Sequence, residues 1–419
     1  MIPVLISPVP PMMKTCTPVR TPSERITPVG RTADATRRER NHYVGDAPSG
    51  EWMSQYTVAV VGTGPDPANP TVEGFAMGYR HAEAFRNDDR CRLVACADLV
   101  PEHAAAFADE FGLDETAVFA DYERMVASVE PDVVSVAVPP AAHEEVVVGC
   151  ARAGAVEAVH CEKPMALTLR SAERMVQACW RRGVQLTFNR QRRFGKPFTE
   201  AARLVEEGAV GDLERVEIGW GDFFDTGAHA VDLAGMFAGD RPAEWVIAQL
   251  DYRDEDVRFG AHQENQMFAQ WRYENGVHGV LSTGEGSGLV DAPFHLRGSD
   301  GEIRIGGDPM LELRRGDGWE AVDVGGETMH GAPGDADRFG SSFHDRSVAA
   351  VVDALDSGEE SALSGRTGLN TAEILFGGYE SVRRRGRVDL PLDIDDSPLE
   401  AMVESGALSP EPASDPGAE

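Results

Sequence analysis

Residues 57–64 read TVAVVGTG, and this octet decides the fold. Thr57–Gly62 is a continuous apolar run, which suits a strand covered on both faces. Gly62-Thr63-Gly64 then turns the chain at the mouth of a helix, where a backbone can approach a pyrophosphate closely. Working outward, helical stretches at Gly78–Arg86, Pro101–Phe111, Asp121–Ser128 and Ala141–Ala153 alternate with strands at Arg92–Ala97, Asp132–Val138 and Ala158–Cys161. Alternation of this length predicts a parallel sheet wound on both faces. From about Ala166 the pattern changes. A helix (Ser171–Arg182), a strand (Val184–Phe188), a helix (Phe198–Glu207), a strand (Leu213–Trp220) and a helix near Ala228–Phe237 lead into strands between Glu244 and Arg314. Gly-rich turns separate those strands, as in a large, mostly antiparallel sheet with one open face. Helices at His344–Leu355 and Thr367–Val382 close this half. The fold class expected is therefore α/β, in two domains.

The 419 residues carry 39 Lys+Arg against 70 Asp+Glu, a net charge of −31. That excess excludes a general nucleic-acid surface and docking on anionic membranes, both of which need clustered cations. No apolar run is long enough to span a bilayer. Lysine occurs three times (Lys14, Lys163, Lys196) and arginine supplies the other 36 cations. Excess carboxylate with little lysine suits a protein of the halophile type, dispersed in concentrated salt. The six cysteines form no CxxC pair and read as buried thiols of a reducing, cytoplasmic compartment. Residues 1–52 are rich in Pro, Thr and Arg, lack apolar periodicity and carry a net +2. They are expected to be a disordered or artefactual extension, with the working protein starting near Met53. Residues 396–419 bring six carboxylates and no basic residue, the pattern of an acidic, solvated tail. The expected domains are thus 53–165 for dinucleotide binding and 166–395 for substrate and oligomerisation.

The chemistry gathers at strand ends. Gly62, Thr63 and Gly64 form the turn, Gly78 is the third glycine after a loop insertion over Pro65–Met77, and Gly74 is its alternative. Asp98, at the end of the second strand, is placed to bind both ribose hydroxyls and repel a 2′-phosphate. No Arg follows it within three residues, so NAD is favoured over NADP. The fourth strand ends in Pro139-Pro140, with His143 lying either over the cofactor or in an exposed first turn. The fifth ends in Glu162-Lys163-Pro164, where a cleft lysine can hydrogen-bond a reacting hydroxyl or relay its proton. Further on, Asp225-Thr-Gly-Ala-His229-Ala-Val-Asp232 opens a helix, and Asp225 and His229 can converge on one point as an oriented base. With no second His at ligand spacing, no metal is expected. Asn189, Arg190 and Arg193 after the first strand of the second half, and Asp222 before the catalytic helix, are candidates for substrate hydroxyls or a carboxylate.

Together GxG, PPxxH, EKP and DxGxHxxD, in this order and on these elements, resemble the Gfo/Idh/MocA oxidoreductase family over about Tyr56–Leu392. The resemblance implies an N-terminal Rossmann domain and a C-terminal α/β domain whose open sheet often forms dimers or tetramers. It implies hydride transfer between a nicotinamide cofactor and a secondary hydroxyl or ketone of a sugar, cyclitol or related polyol. By motif match Lys163, Asp225 and His229 would be the catalytic groups, with Gly62, Thr63, Gly64, Gly78, Asp98, Pro139, Pro140, His143 and Glu162 around the cofactor. Either His229 or Lys163 could be the formal base. Two other readings belong to the same scaffold: an NAD-dependent glycoside hydrolase, and a non-catalytic cofactor or sugar sensor.

Overall fold

The computed structural model describes residues 55–65, 67, 76–335 and 341–412. Expectations for residues 1–52, for Gly74 and most of the Pro65–Met77 insertion, and for the end of the acidic tail lie outside these. Strands β1 (Tyr56–Val61), β2 (Cys91–Ala97), β3 (Val118–Phe119), β4 (Val133–Val136), β5 (Ala158–Cys161) and β6 (Gln185–Phe188) form one sheet in the order 3-2-1-4-5-6. All its pairings are parallel. Helices α1 (Met77–Asn87), α2 (Pro101–Phe111), α3 (Tyr122–Val129), α4 (Pro140–Ala153) and α5 (Leu169–Arg182) connect the strands. Val58, Ala59 and Val60 are wholly buried, which is why β1 reads as an unbroken apolar run. The order reverses between β1 and β4, so the crevice at their C-terminal ends is the natural ligand site.

One boundary moves. β6, expected in the second half, pairs with β5 and completes the first sheet. A strand is legible from its residues, but its partner is a long-range choice.

After α6 (Lys196–Glu206) the second half builds a nine-stranded sheet from β7 (Leu213–Gly219), β8 (Ala243–Asp251), β11 (Gln266–Tyr273), β12 (His278–Ser282), β13 (Phe294–Gly298), β14 (Gly301–Ile305), β15 (Leu311–Arg315), β16 (Gly318–Ala321) and β17 (Val388–Asp389). The strand order is 16-15-14-13-7-12-11-8-17, and only β7 and β12 run parallel. A small hairpin, β9 (Val257–Arg258) with β10 (Ala261–His262), stands apart. Helices α7 (Gly227–Phe237) and α9 (Gly365–Arg384) cover one face, burying Val216, Ile218, Leu281 and Trp271. On the other face Ile247 and Phe268 remain 42% and 44% exposed. Close approach of α9 depends on two glycines. A Cβ at Gly377 would lie 2.6 Å from Val246, and one at Gly378 would lie 2.6 Å from Phe223.

Helix α8 (Ser341–Ser357) returns to the first sheet, where Val348 and Val352 pack with Tyr56, Phe85 and Val133. A second correction concerns the acidic tail. Its start is not solvated chain but helix α10 (Pro398–Glu404), which buries Leu399 and Met402, three residues apart on one face.

Candidate active site

The glycine turn is built as its residue types demand. Gly62 has φ +84° and Gly64 φ +72°, a region that L side chains rarely enter. A Cβ at Gly62 would meet Val138 at 2.7 Å, and one at Gly78 would sit 2.5 Å from the Gly62 carbonyl oxygen. Gly78 thus lies on α1 directly under the turn, packed as closely as the expected third glycine requires. This cradle of bare backbone at a helix N-terminus fits a dinucleotide pyrophosphate. Gly78→Ala is expected to push the turn outward, at a typical overpacking cost of about 1–3 kcal/mol. NAD titration should then show weakening of about tenfold or more.

Asp98 stands at the end of β2 as expected, but its carboxylate closes on the turn itself. One oxygen accepts from Thr63 N (2.9 Å), Thr63 Oγ1 (3.0 Å) and Gly64 N (3.1 Å), and the other accepts from Val100 N. The turn's backbone N–H groups are thus its nearest donors among the described residues. Pro139 and Pro140 lie at the sheet edge, where they cap and open α4. His143 neither covers the cofactor crevice nor stands exposed. It is buried, with ring nitrogens 2.9 Å from the Val138 carbonyl and 3.1 Å from that of Met165. It ties the Pro-Pro turn to the Glu162–Met165 loop.

Glu162 is likewise buried rather than turned to a cofactor. It holds His81 Nε2 at 2.8 Å, Asn189 Nδ2 at 2.6 Å and the Lys163 backbone N–H at 3.0 Å. Burial alone would raise its pKa. The His81 and Asn189 hydrogen bonds and the Lys163 charge instead keep it well below the usual carboxylate range. Asn189, expected at the substrate, belongs to this network and also lies 3.2 Å from His344 Nδ1. The network fixes the backbone from which Lys163 projects.

Lys163 reaches across to the second half. Its Nζ lies 2.5 Å from Asp225 Oδ1, and both side chains are only partly buried. Asp225 thus orients Lys163, not His229 as expected. Asp222, a substrate candidate, instead accepts from the Asp225 and Thr226 backbone N–H groups and so shapes the turn into α7. The ring of His229, in the first turn of α7, has no hydrogen-bond partner among the described residues, and its Nδ1 is buried. Burial first, then the Lys163 and Arg192 charges, hold its pKa well below the ordinary imidazole value. The arrangement is an ammonium held by a carboxylate beside a neutral imidazole. Such a pair can stabilise charge on a reacting oxygen and move its proton.

Arg193 and Arg190 are held by carboxylates of the chain itself. Both are buried on Asp232, where Arg193 Nε lies 2.6 Å from Oδ2 and Arg190 takes Oδ1. Arg193 also pairs with Asp240 at 2.6 Å. Asp232→Ala would strand two buried cations, and breaking such a pair typically costs about 3–5 kcal/mol. An unfolding free energy lowered by that amount in denaturant titration checks the role.

Sequence reasoning missed three groups. Arg192 and His344 flank the site, signalled only by their residue types. Glu264 lies buried beneath the Asp222–Asp225 turn, accepting from Phe223 N at 2.7 Å and Tyr379 Oη at 2.6 Å. Burial raises its pKa to about 7. A raised carboxylate stabilises the fold fully below its unfolded value and loses that contribution as pH climbs through the folded one. The Tm advantage of the wild type over Glu264→Gln is therefore expected to shrink between about pH 4.5 and 7.

This geometry has counterparts. A model described as the oxidoreductase family's NAD-binding Rossmann fold matches residues 57–190, and one for the same family's C-terminal alpha/beta domain matches 214–390. The chain belongs to the Gfo/Idh/MocA oxidoreductase family. Relatives in this family include D-apiose dehydrogenase of Paraburkholderia graminis, 26% identical over 351 residues and covering 78% of this chain and 91% of that protein. Myo-inositol 2-dehydrogenase of Thermotoga maritima is 23% identical, covering 75% and 96%. An NAD binding oxidoreductase from Klebsiella pneumoniae superposes with a TM-score of 0.65 at 20% identity, covering 81% of this chain and all of that one. The first family match ends at Arg190, just past β6, in line with the shifted boundary. Among the described residues, no helix is long and apolar enough to cross a membrane.

Proposed function

We propose that the protein transfers a hydride between NAD and a secondary carbinol or ketone of a sugar, cyclitol or related polyol. The observation that carries this reading is the Lys163–Asp225 pair just past the C-terminal end of β5, near enough to the unpartnered His229 ring for the Lys163 charge to lower its pKa. NAD, held over Gly62–Gly64, would supply the hydride acceptor. Lys163 donates a hydrogen bond to the substrate oxygen and stabilises the negative charge that develops there as the carbinol proton leaves. Asp225 fixes the ammonium in that place. His229, neutral in this environment, takes the proton. In the reverse direction His229 returns it and Lys163 polarises the carbonyl.

Support for NAD over NADP comes from Asp98, whose carboxylate repels a 2′-phosphate at the end of β2. The open sheet face carrying Ile247 and Phe268 suits a homodimer or homotetramer. Buried thiols at Cys91, Cys96, Cys150, Cys161 and Cys179 suit a reducing cytoplasm, and the acidic, lysine-poor composition suits high salt. The test is NADH formation with a panel of aldoses, inositols and sugar acids in concentrated KCl. Cofactor-dependent NADH with one class supports the reading. Release of an aglycone from a glycoside with no net NADH overturns it.

A further inference from the structure

Arg192 is a cation close enough to the reacting centre to feel Asp225 and to lower the His229 pKa, yet it makes no ion pair among the described residues. It sits in the 3-10 turn Gln191–Phe194 after β6, between two arginines that Asp232 and Asp240 neutralise. Its Nη1 donates to the Met329 carbonyl and lies 3.1 Å from His330 Nδ1, and its guanidinium stacks 4.9 Å over the Trp220 ring. Its Nε is buried without a partner, and it makes no ion pair among the described residues. Burial pushes its pKa down to about 10, against the pull of Asp225. The nearby carboxylates are taken by other cations: Asp225 by Lys163 at 2.5 Å, and Asp256 and Asp222 by Arg258 at 2.7 and 3.5 Å.

A partly buried cation without a counter-charge is costly, unless an anion arrives to share the site. Trp220 holds the guanidinium plane, and a planar fork is the geometry that matches a carboxylate. We propose that Arg192 determines specificity by binding the carboxylate of a polyhydroxy acid, an aldonic or uronic acid, while Lys163 and His229 act on its carbinol. This rests on the reading of Lys163, Asp225 and His229 as the reacting centre.

The test compares matched pairs at one salt concentration: D-gluconate with D-glucitol, D-glucuronate with D-glucose, D-galacturonate with D-galactose. For the NAD-loaded wild type, kcat/KM is expected to favour the acid of the best pair by at least about tenfold. In Arg192→Gln the acid-to-neutral ratio should fall by about 10- to 100-fold, with Arg192→Lys in between. Calorimetric binding of the same acids to the NAD-loaded protein gives a readout besides turnover. A wild type that prefers the neutral partners overturns the proposal, as does a ratio unchanged in a folded Arg192→Gln. If that variant does not fold, the wild-type ratio and Arg192→Lys decide. Acid binding that is lost in Arg192→Gln, with no turnover of any pair, upholds Arg192 and contradicts the dehydrogenase reading instead. No binding of any acid by the folded wild type overturns the proposal.

Discussion

Replacing Lys163 with Ala is expected to lower kcat by about 10²–10⁴-fold, the usual contribution of a positioned acid–base group. NAD affinity should stay nearly intact, because the cradle at Gly62–Gly64 is held by Asp98 and Gly78 and not by this side chain. The loss has two parts. The substrate oxygen loses its cationic donor, and Asp225, 2.5 Å away in the intact protein, becomes an unpaired carboxylate facing the developing negative charge. Lys163→Arg should not restore turnover, since the larger planar guanidinium cannot place a single donor where the compact ammonium stands between Asp225 and the substrate oxygen. Stopped-flow single turnovers, alongside NAD titrations, separate the two effects. Near-normal turnover in Lys163→Ala would remove that residue from the mechanism.

His229→Ala is the second large effect, again about 10²–10⁴-fold in kcat. Its pH signature identifies the role. Burial and the neighbouring Lys163 and Arg192 charges hold the imidazole pKa low, so the neutral, proton-accepting form prevails at neutral pH. Activity requiring that form is lost as pH falls through the depressed pKa. The acid limb of wild-type kcat/KM should therefore lie below the ordinary imidazole range and vanish in His229→Ala. A limb that persists unchanged in the variant would assign it to another group.

Much of the fold was legible because both halves carry strong local signals. The buried run at β1, the GxG turn and the helix–strand alternation each follow from residue type and spacing. What failed was long-range. β6 reads as a strand from its own residues, yet its parallel partner β5 is chosen across an intervening helix. In α10, two apolar residues three apart were hidden within an acidic composition.

The site divides in the same way. EKP and DxGxHxxD brought Lys163, Asp225 and His229 to one place, because each motif marks an element end. Which partner each side chain takes was not legible. Asp225 could reach His229 along its own helix, but the Lys163 ammonium from β5 lies within hydrogen-bond distance and takes it. In the NRQRR run, Arg190 and Arg193 were read as substrate candidates, and both are instead paired with carboxylates of the chain. Side chains three apart eclipse in a 3-10 turn, so both turn onto Asp232. Arg192 points elsewhere, over Trp220.

The central claim is that Lys163 and His229 act on one carbinol beside bound NAD. It is tested most directly by a single-turnover measurement of NADH formed by the NAD-loaded protein on a substrate deuterated at the reacting carbon. The account predicts one labelled NADH per active site in the wild type, and the same product formed at least about a hundredfold more slowly in Lys163→Ala and in His229→Ala. Label released to water rather than found on the cofactor, or both variants matching the wild-type rate, would contradict it.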